Sequence, residues 1–393
     1  MVKVLINQFG FILIGGLIMF NFSMAQTHIN RFSRPGAPLN ERWEWALREA
    51  GKDHPDSDFW LVFSIERTME KQRYIWSNGD MFIHFAGYQD HDEPALQEVI
   101  LNRPDPEKHL PESEQIRREA QRALGQAKGI EPKPEMVRKE IAILFHYPHG
   151  AAGAAEWVET GIASMELPFD LEKLPVYWIG PAAAQESLPF LQQLYHQVTS
   201  EKLKEELIPL AGLQEAADQV IPFLSEIISS AGADDLREEA AEWLGEQQDP
   251  RALEILRNTA KHDRSAEVRE EAVEAIGQLN LPGAEQVLID FAKNSPDAEM
   301  RETAIECLAR VAADQAVQLL GQTIRSRDEL EVKLRAVSIL ADLDNDAGLE
   351  ELIRISRTHP DRRVRRRAIL MLGESENPKA LDALIDLVKV GAR

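Results

Sequence analysis

The sequence predicts a mainly α-helical protein, in which about seven helical hairpins form an α-solenoid after a small β-rich α+β domain. Two observations carry this prediction. A short motif recurs at a constant interval through the second half of the chain. Aromatic and β-branched runs, separated by turn residues, fill much of residues 26–165. We therefore assign residues 26–165 to the β-rich domain and residues 166–393 to the solenoid.

The repeated motif is an apolar residue, a basic residue, an alanine three positions on, and an apolar–small pair. The clearest first copy is Leu236-Arg237, Ala240 and Leu244-Gly245. The spacing between the small residues that close successive copies is constant to within one position, at Gly180, Gly212, Gly245, Gly277, Ala309, Ala341 and Gly373. A fixed period of this length is the signature of a solenoid.

Each copy reads as two helices. Apolar residues at i, i+4 and i+8 give the first helix one buried face. Residues suited to N-caps stand three positions before that face, at Ser265, Asp297 and Asp361. A second helix is marked by small residues that allow close packing, at Ala252, Ala284, Ala316, Gly348 and Ala380.

This pattern resembles the HEAT repeat family, in particular its short bacterial form related to the phycobilin lyase repeats, over roughly residues 166–393. The resemblance implies an interaction scaffold, although a few members of the family are enzymes or cofactor lyases. One enzymatic branch, the deoxyhypusine hydroxylases, holds iron with His-Glu pairs. This sequence has no His-Glu dipeptide, so that activity is not carried over.

Residues 26–165 contain several strand candidates. We predict a helix over 41–51 with Asn40 as its N-cap, and a hairpin whose strands flank Ser77-Asn78-Gly79-Asp80. Further strands are predicted at 59–65, 140–147 and within 155–167. A charged, Pro-rich insertion is predicted at 103–137, with a surface helix from Ser113 to Lys128.

Residues 1–25 read as a secretory signal. Lys3 precedes an apolar run over 11–20, and Ser23-Met24-Ala25 places small residues where a signal peptidase cleaves. The run is too short for a membrane span, which needs about 20 residues. We expect a periplasmic or secreted protein; the alternative is an uncleaved N-terminal membrane anchor.

The chain carries no recognisable catalytic motif. Its net charge of −22 argues against nucleic-acid binding. Gly-x-Ser-x-Gly, phosphate-loop and His-Glu-x-x-His motifs are absent. His146 and His149 have a chelating spacing, but Tyr147-Pro148 gives them no common helical face. The single cysteine, Cys307, falls on an inward helix position and is predicted to be buried and inert. We predict no catalytic residue, no metal and no cofactor.

Three surface patterns suggest protein partners. A cation occupies the same repeat position at the end of five second helices: Lys261, Lys293, Arg325, Arg357 and Lys389. These cations either complement the helix dipole or form a basic stripe that binds an anionic partner. A basic run adds four arginines that the fold is not expected to need: Arg362, Arg363, Arg366 and Arg367. Ile385 and Leu387 are candidates for self-association. Glutamates repeat on the first helices, at 238, 270 and 302 and again at 242, 274 and 306, and predict a solvated acidic face.

The function predicted from these features is an extracytoplasmic scaffold that binds a protein or peptide on its stacked second helices. The alternative is an enzyme or cofactor-handling protein with a site between the β-rich domain and the first repeats. That alternative requires a closed pocket lined by Trp60, Trp76, His84 or His146.

The signal makes a direct prediction. Export should remove residues 1–25, because Ser23 and Ala25 satisfy the peptidase. N-terminal sequencing of the exported protein should begin at or near Gln26. A mature protein that retains Met1 would contradict this prediction.

Overall fold

A computed structural model describes residues 28–391 apart from residues 72, 79–81, 87–93, 105–134, 152, 327–329 and 344–346. The signal and the helix predicted from Ser113 to Lys128 lie outside the described residues, as does the side chain of His84. The described chain is a mixed β-sheet followed by a stack of helices.

The sheet contains seven described strands in the order β1-β7-β2-β5-β6-β3-β4. Their bounds are β1 (Ile29–Arg31), β2 (Phe59–Glu70), β3 (Arg73–Asn78), β4 (Phe82–Ala86), β5 (Met136–Tyr147), β6 (Glu159–Ser164) and β7 (Val176–Pro181). Strand β7 runs parallel to β1 and β2, and the other pairs are antiparallel. The β3–β4 hairpin confirms the prediction around Asn78-Gly79.

Both faces of the sheet are buried at its centre. Phe63 and Phe145 belong to the face that shares its core with the helical stack, whereas Trp60 and Leu144 belong to a second, smaller core. Two described helices accompany the sheet: α1 (Leu39–Asp53) and α2 (Leu96–Leu101).

Helix α1 begins one residue before the predicted Asn40 cap. Its N-cap is Pro38, which has no side-chain hydrogen bond to offer. The carboxylate of Glu186 accepts the backbone N–H of Leu39 instead. A partner that is distant in the sequence therefore takes the role that the sequence assigned to Asn40.

The predicted boundary at 165/166 is wrong. The copy predicted to end at Gly180 is strand β7, which lies between β1 and β2 with Val176 through Ile179 buried. Its apolar run fits a central strand, which is covered on both faces. Strand β5 also begins at Met136, inside the insertion predicted over 103–137.

The stack contains thirteen described helices, and together they confirm the helical repeat. Helix α3 (Ala184–Gln197) stands alone after β7. First helices are α4 (Glu201–Gly212), α6 (Asp234–Gly245), α8 (Ala266–Gln278), α10 (Ala298–Val311), α12 (Leu330–Asp342) and α14 (Arg362–Glu374). Second helices are α5 (Ala217–Ser230), α7 (Pro250–His262), α9 (Ala284–Asn294), α11 (Ala313–Arg325), α13 (Leu349–Thr358) and α15 (Pro378–Gly391). The described residues thus form six complete hairpins.

Small residues let the hairpins approach one another. The predicted alanines Ala240, Ala272, Ala304, Ala336 and Ala368 are all buried. A Cβ added at Gly277 would lie 2.7 Å from Sγ of Cys307 in the next first helix. Cys307 is buried as predicted, and burial raises the pKa of its thiol to about 12.

Two of the three predicted N-caps form their hydrogen bonds. The carboxylates of Asp297 and Asp361 accept backbone N–H groups at 3.1 and 2.7 Å. Ser265 makes no cap hydrogen bond; its hydroxyl donates to the carboxylate of Glu267 at 2.7 Å.

The arginine of the motif binds the loop before its own helix, and Arg237 also binds the next loop. Arg237 is 2% exposed and donates to both carboxylate oxygens of Asp263 at 2.9 Å. Its Nη1 also donates to the carbonyls of residues 231–233 at 3.0–3.3 Å. Arg269, Arg301 and Arg365 donate to the equivalent carbonyls before their own helices.

Arg237 and Asp263 give a prediction for stability. Arg237→Met should lower the free energy of unfolding by about 3–5 kcal/mol, because it leaves the carboxylate of Asp263 buried without its partner. The exposed Arg257, which pairs with Glu254 on its own helix, provides the control: Arg257→Met should cost about 1 kcal/mol or less. Urea denaturation of the two variants measures both values. Equal effects would contradict the prediction.

Candidate functional site

Several cations of the predicted basic stripe form ion pairs between repeats. Nζ of Lys261 lies 3.8 Å from a carboxylate oxygen of Asp290 on the following second helix. Nη1 of Arg325 donates to Glu351 of the next second helix at 2.8 Å. A carboxylate of the next repeat thus neutralises each of these two cations.

The remaining members of the stripe differ in their partners. Arg357 and Lys389 lie 3.7 and 3.8 Å from the two carboxylate oxygens of Asp386. Lys293 forms no ion pair with any of the described residues. The stripe therefore offers an anionic partner less net positive charge than its sequence suggests.

The fold uses two of the four arginines that the sequence left free. Arg363 pairs with the capping carboxylate of Asp361, with 2.9 Å between Nη2 and Oδ2. Arg367 donates to the hydroxyl of Ser338 on the preceding first helix at 2.7 and 3.0 Å. Arg363 and Arg367 thus have partners within the chain that the sequence did not identify. Arg362 and Arg366 are exposed, with no ion pair or hydrogen bond to the part of the chain that the structure describes.

The acidic face is only partly solvated. Glu242 and Glu274 are exposed, but Glu239 and Glu271 on the same helices are half-buried. Burial, followed by repulsion from Glu242, raises the pKa of Glu239 to about 8 and that of Glu271 to about 8. The sequence register did not identify this pair, since their burial depends on the neighbouring hairpin.

The aromatic residues proposed for a pocket are packed together. The indole of Trp60 stacks on the ring of His146 at a centroid distance of 4.7 Å. Phe169 contacts both Trp60 and Trp76, at 5.6 and 6.1 Å. A cleft of about 530 Å³ lies elsewhere, between Glu44 and Arg48 of α1 and the loop at Gly150.

His146 and His149 share a carboxylate. Nδ1 of His149 lies 3.1 Å from Oδ1 of Asp58, and Nε2 of His146 lies 3.7 Å from Oδ2. A hydrogen bond from the backbone N–H of His149 is the main cause of the lowered pKa of Asp58. Among the described residues, no three His, Cys, Asp or Glu side chains converge in a way that could hold a metal ion.

Exposed apolar side chains concentrate on the hairpin formed by α14 and α15. Of the eight large exposed hydrophobic residues in the described chain, five lie there: Ile369, Leu370, Leu381, Ile385 and Val388. We call these five residues the outer apolar patch. Ile385 is 43% exposed, whereas Leu387, its predicted companion, is half-buried and does not belong to the patch.

The sequence contained a signal for the correct set. Leu381, Ile385 and Val388 follow the i, i+4, i+7 spacing of one helical face. A buried face has the same spacing, so the pattern alone cannot show which face is covered.

None of the helices in the described chain combines the length and the apolar character that a membrane crossing requires.

Comparison with protein families identifies the repeats. A family model described as HEAT repeats matches residues 221–309, 256–331 and 317–392. A search of curated proteins finds no match.

Solved structures resemble the chain at low identity. The complex of CpcE and CpcF of phycocyanin lyase from Nostoc sp. PCC7120 is 20% identical over 51% of this chain and 80% of that chain, with a TM-score of 0.32. Human deoxyhypusine hydroxylase in complex with glycerol is 22% identical over 51% and 77%, with a TM-score of 0.23. Importin beta is 15% identical over 48% and 30%, with a TM-score of 0.28.

The half-buried glutamates predict a pH dependence of stability. Each holds a proton in the folded protein at pH values where an unfolded carboxyl is ionised, so stability should fall as the pH rises toward about 8 and level off above it. Glu239→Gln or Glu271→Gln should therefore raise the Tm above pH 8, by about 2–4 °C, and have less effect in mild acid. Thermal unfolding followed by circular dichroism measures this difference. The exposed Glu285 gives the control variant Glu285→Gln, whose Tm should not change with pH in this way. The same dependence of Tm on pH in all three variants would contradict the prediction.

Proposed function

We propose that this chain, whose residues 221–392 are HEAT repeats, is an extracytoplasmic scaffold that binds a protein partner. The observation that carries the proposal is the outer apolar patch, which gathers five of the eight large exposed hydrophobic residues of the described chain on one hairpin. A contiguous apolar area on the surface of a soluble protein usually marks a contact.

The surroundings of the patch support a protein partner over a small ligand. Its side chains stand on two helices and are 39–73% exposed. Arg362 and Arg366 lie exposed on α14, and Arg366 is one helical turn before Ile369 and Leu370. Apolar anchors beside exposed arginines are the usual composition of a protein interface.

The extracytoplasmic location and the basic residues are the two parts of the proposal that the sequence suggests. The extracytoplasmic location depends on the signal predicted over residues 1–25. The lone thiol of Cys307 is buried and its pKa is raised, so the thiol is unreactive. An unreactive thiol suits an oxidising compartment. From the predicted basic set, Lys293, Arg362 and Arg366 are the cations most available to an acidic group on a partner.

No observation favours the alternative of an enzyme or a cofactor-handling protein. Trp60 and His146 stack on each other, and Trp76 packs against the same core on one face of the sheet. We therefore advance a single function.

Site-directed photo-cross-linking tests the proposal in the native host. A photoreactive side chain placed at Leu381 should cross-link a discrete protein, because Leu381 is 61% exposed within the patch. The same probe at Val311, which is 52% exposed on α10, should not. Val388→Asp should abolish the product without changing the Tm. Equal labelling from the two positions, or a product that survives Val388→Asp, would contradict the proposal.

A further inference from the structure

The outer apolar patch includes positions that other hairpins use for stacking. Val388 is 73% exposed, but its equivalents in the four preceding repeats are at most 6% exposed: Ser356, Ile324, Ala292 and Ala260. In those repeats the following hairpin covers the position. The side chain at 388 therefore lies on a surface shaped to receive a helical hairpin.

Helix α14 shows the same difference. Ile369 is 39% exposed, whereas its repeat equivalents are at most 4% exposed: Val337, Ile305, Val273 and Ala241. A Cβ added at Gly245 or Gly277 would contact the next first helix within 3.0 Å. A Cβ at Gly373 would meet nothing within 4 Å. Both helices of this hairpin thus present an unoccupied stacking surface in the described chain.

The opposite end of the stack is already covered by the sheet. Arg67 of β2 donates to the carbonyl of Leu213 at 3.1 Å, just past α4, and the backbone N–H of Thr68 donates to Glu215 at 2.6 Å. Arg42 of α1 pairs with Glu186 of α3 at 2.6 Å. Head-to-tail stacking of copies through this end would have to displace these contacts, whereas two like ends can meet in a closed two-fold pair.

The exposed face of α15 is complementary to itself in charge. In an antiparallel pair of α15 helices centred on Ile385, Leu381 faces Val388 of the second copy. Asp382 and Lys389 lie on the same flank of the helix, two turns apart, and both are exposed. The antiparallel arrangement places Asp382 of each copy beside Lys389 of the other copy. Two ion pairs therefore flank the apolar centre.

We propose that the partner bound by the outer apolar patch is a second copy of this chain, in a tail-to-tail dimer with α15 antiparallel to its two-fold mate. This inference rests on the proposed function, because it uses the same surface. It adds the identity of the partner and the direction of its helix.

Charge exchange at the two flanking positions tests the arrangement. In a homodimer of the Asp382→Lys variant, each of the two flanking contacts joins two lysines. In a homodimer of the Lys389→Asp variant, each contact joins two aspartates. Each variant alone should dimerise about tenfold more weakly than the wild type, because two attractive contacts become repulsive. An equimolar mixture restores two Lys–Asp contacts in the heterodimer, so the mixture should recover the wild-type affinity.

Analytical ultracentrifugation of the full mature chain at tens of micromolar measures all three samples. Recovery in the mixture is expected only if position 382 meets position 389 of another copy. Weak dimers in both variants and in their mixture would overturn the antiparallel arrangement. Unchanged affinity in both single variants would overturn it as well.

The wild-type chain separates this inference from the proposed function. A wild type that sediments as a monomer, together with a discrete cross-linked product of another mass at Leu381, overturns the second copy and leaves the proposed function standing. A dimer that Leu381→Asp dissociates, and that Val311→Asp leaves intact, supports both.

Discussion

The contact on which the helical stack depends is the hydrogen bonding of the motif arginine to the loop before its own helix. A second helix ends in carbonyl groups that have no partner within the helix, and the loop that follows adds more. Arg237 satisfies three such carbonyls and binds Asp263 of the next loop with the same guanidinium. A solenoid gains stability only between neighbours, so the bond from Arg237 to Asp263 fixes the spacing of these two successive loops.

The β-sheet serves as the cap at one end of this array. Strand β7 occupies the place where the repeat register predicts a first helix, and α3 follows it as an unpaired second helix. Sheet and stack share one continuous core, in which Phe145 and Leu210 both take part. The molecule is therefore asymmetric along its length. A sheet covers one end, and a stacking surface with apolar side chains stands open at the other described end.

Ion pairs along the stack join a cation of one second helix to a carboxylate of the next. Lys261 meets Asp290 and Arg357 meets Asp386, and each aspartate lies one helical turn before the next cation of the stripe. The repeat thus produces pairs of opposite charge as well as a row of like charge. The half-buried Glu239 and Glu271 have no such cationic partners among the described residues, and burial raises the pKa of each to about 8.

The sequence by itself determined the features that depend on local periodicity. These are the constant repeat register, the helical hairpins, the buried alanines such as Ala304, the buried Cys307 and the β3–β4 hairpin. Local patterns suffice because helix and hairpin formation depend on residues a few positions apart.

Only the tertiary structure decided which patterned residues are covered. Val176–Ile179 form a central strand because β1 and β2 lie on either side, and Glu186 replaces Asn40 at the start of α1. Leu381 and Val388 repeat the spacing of a buried face but are exposed, because no described hairpin packs on them. Coverage depends on contacts between distant parts of the chain, which a local period does not encode.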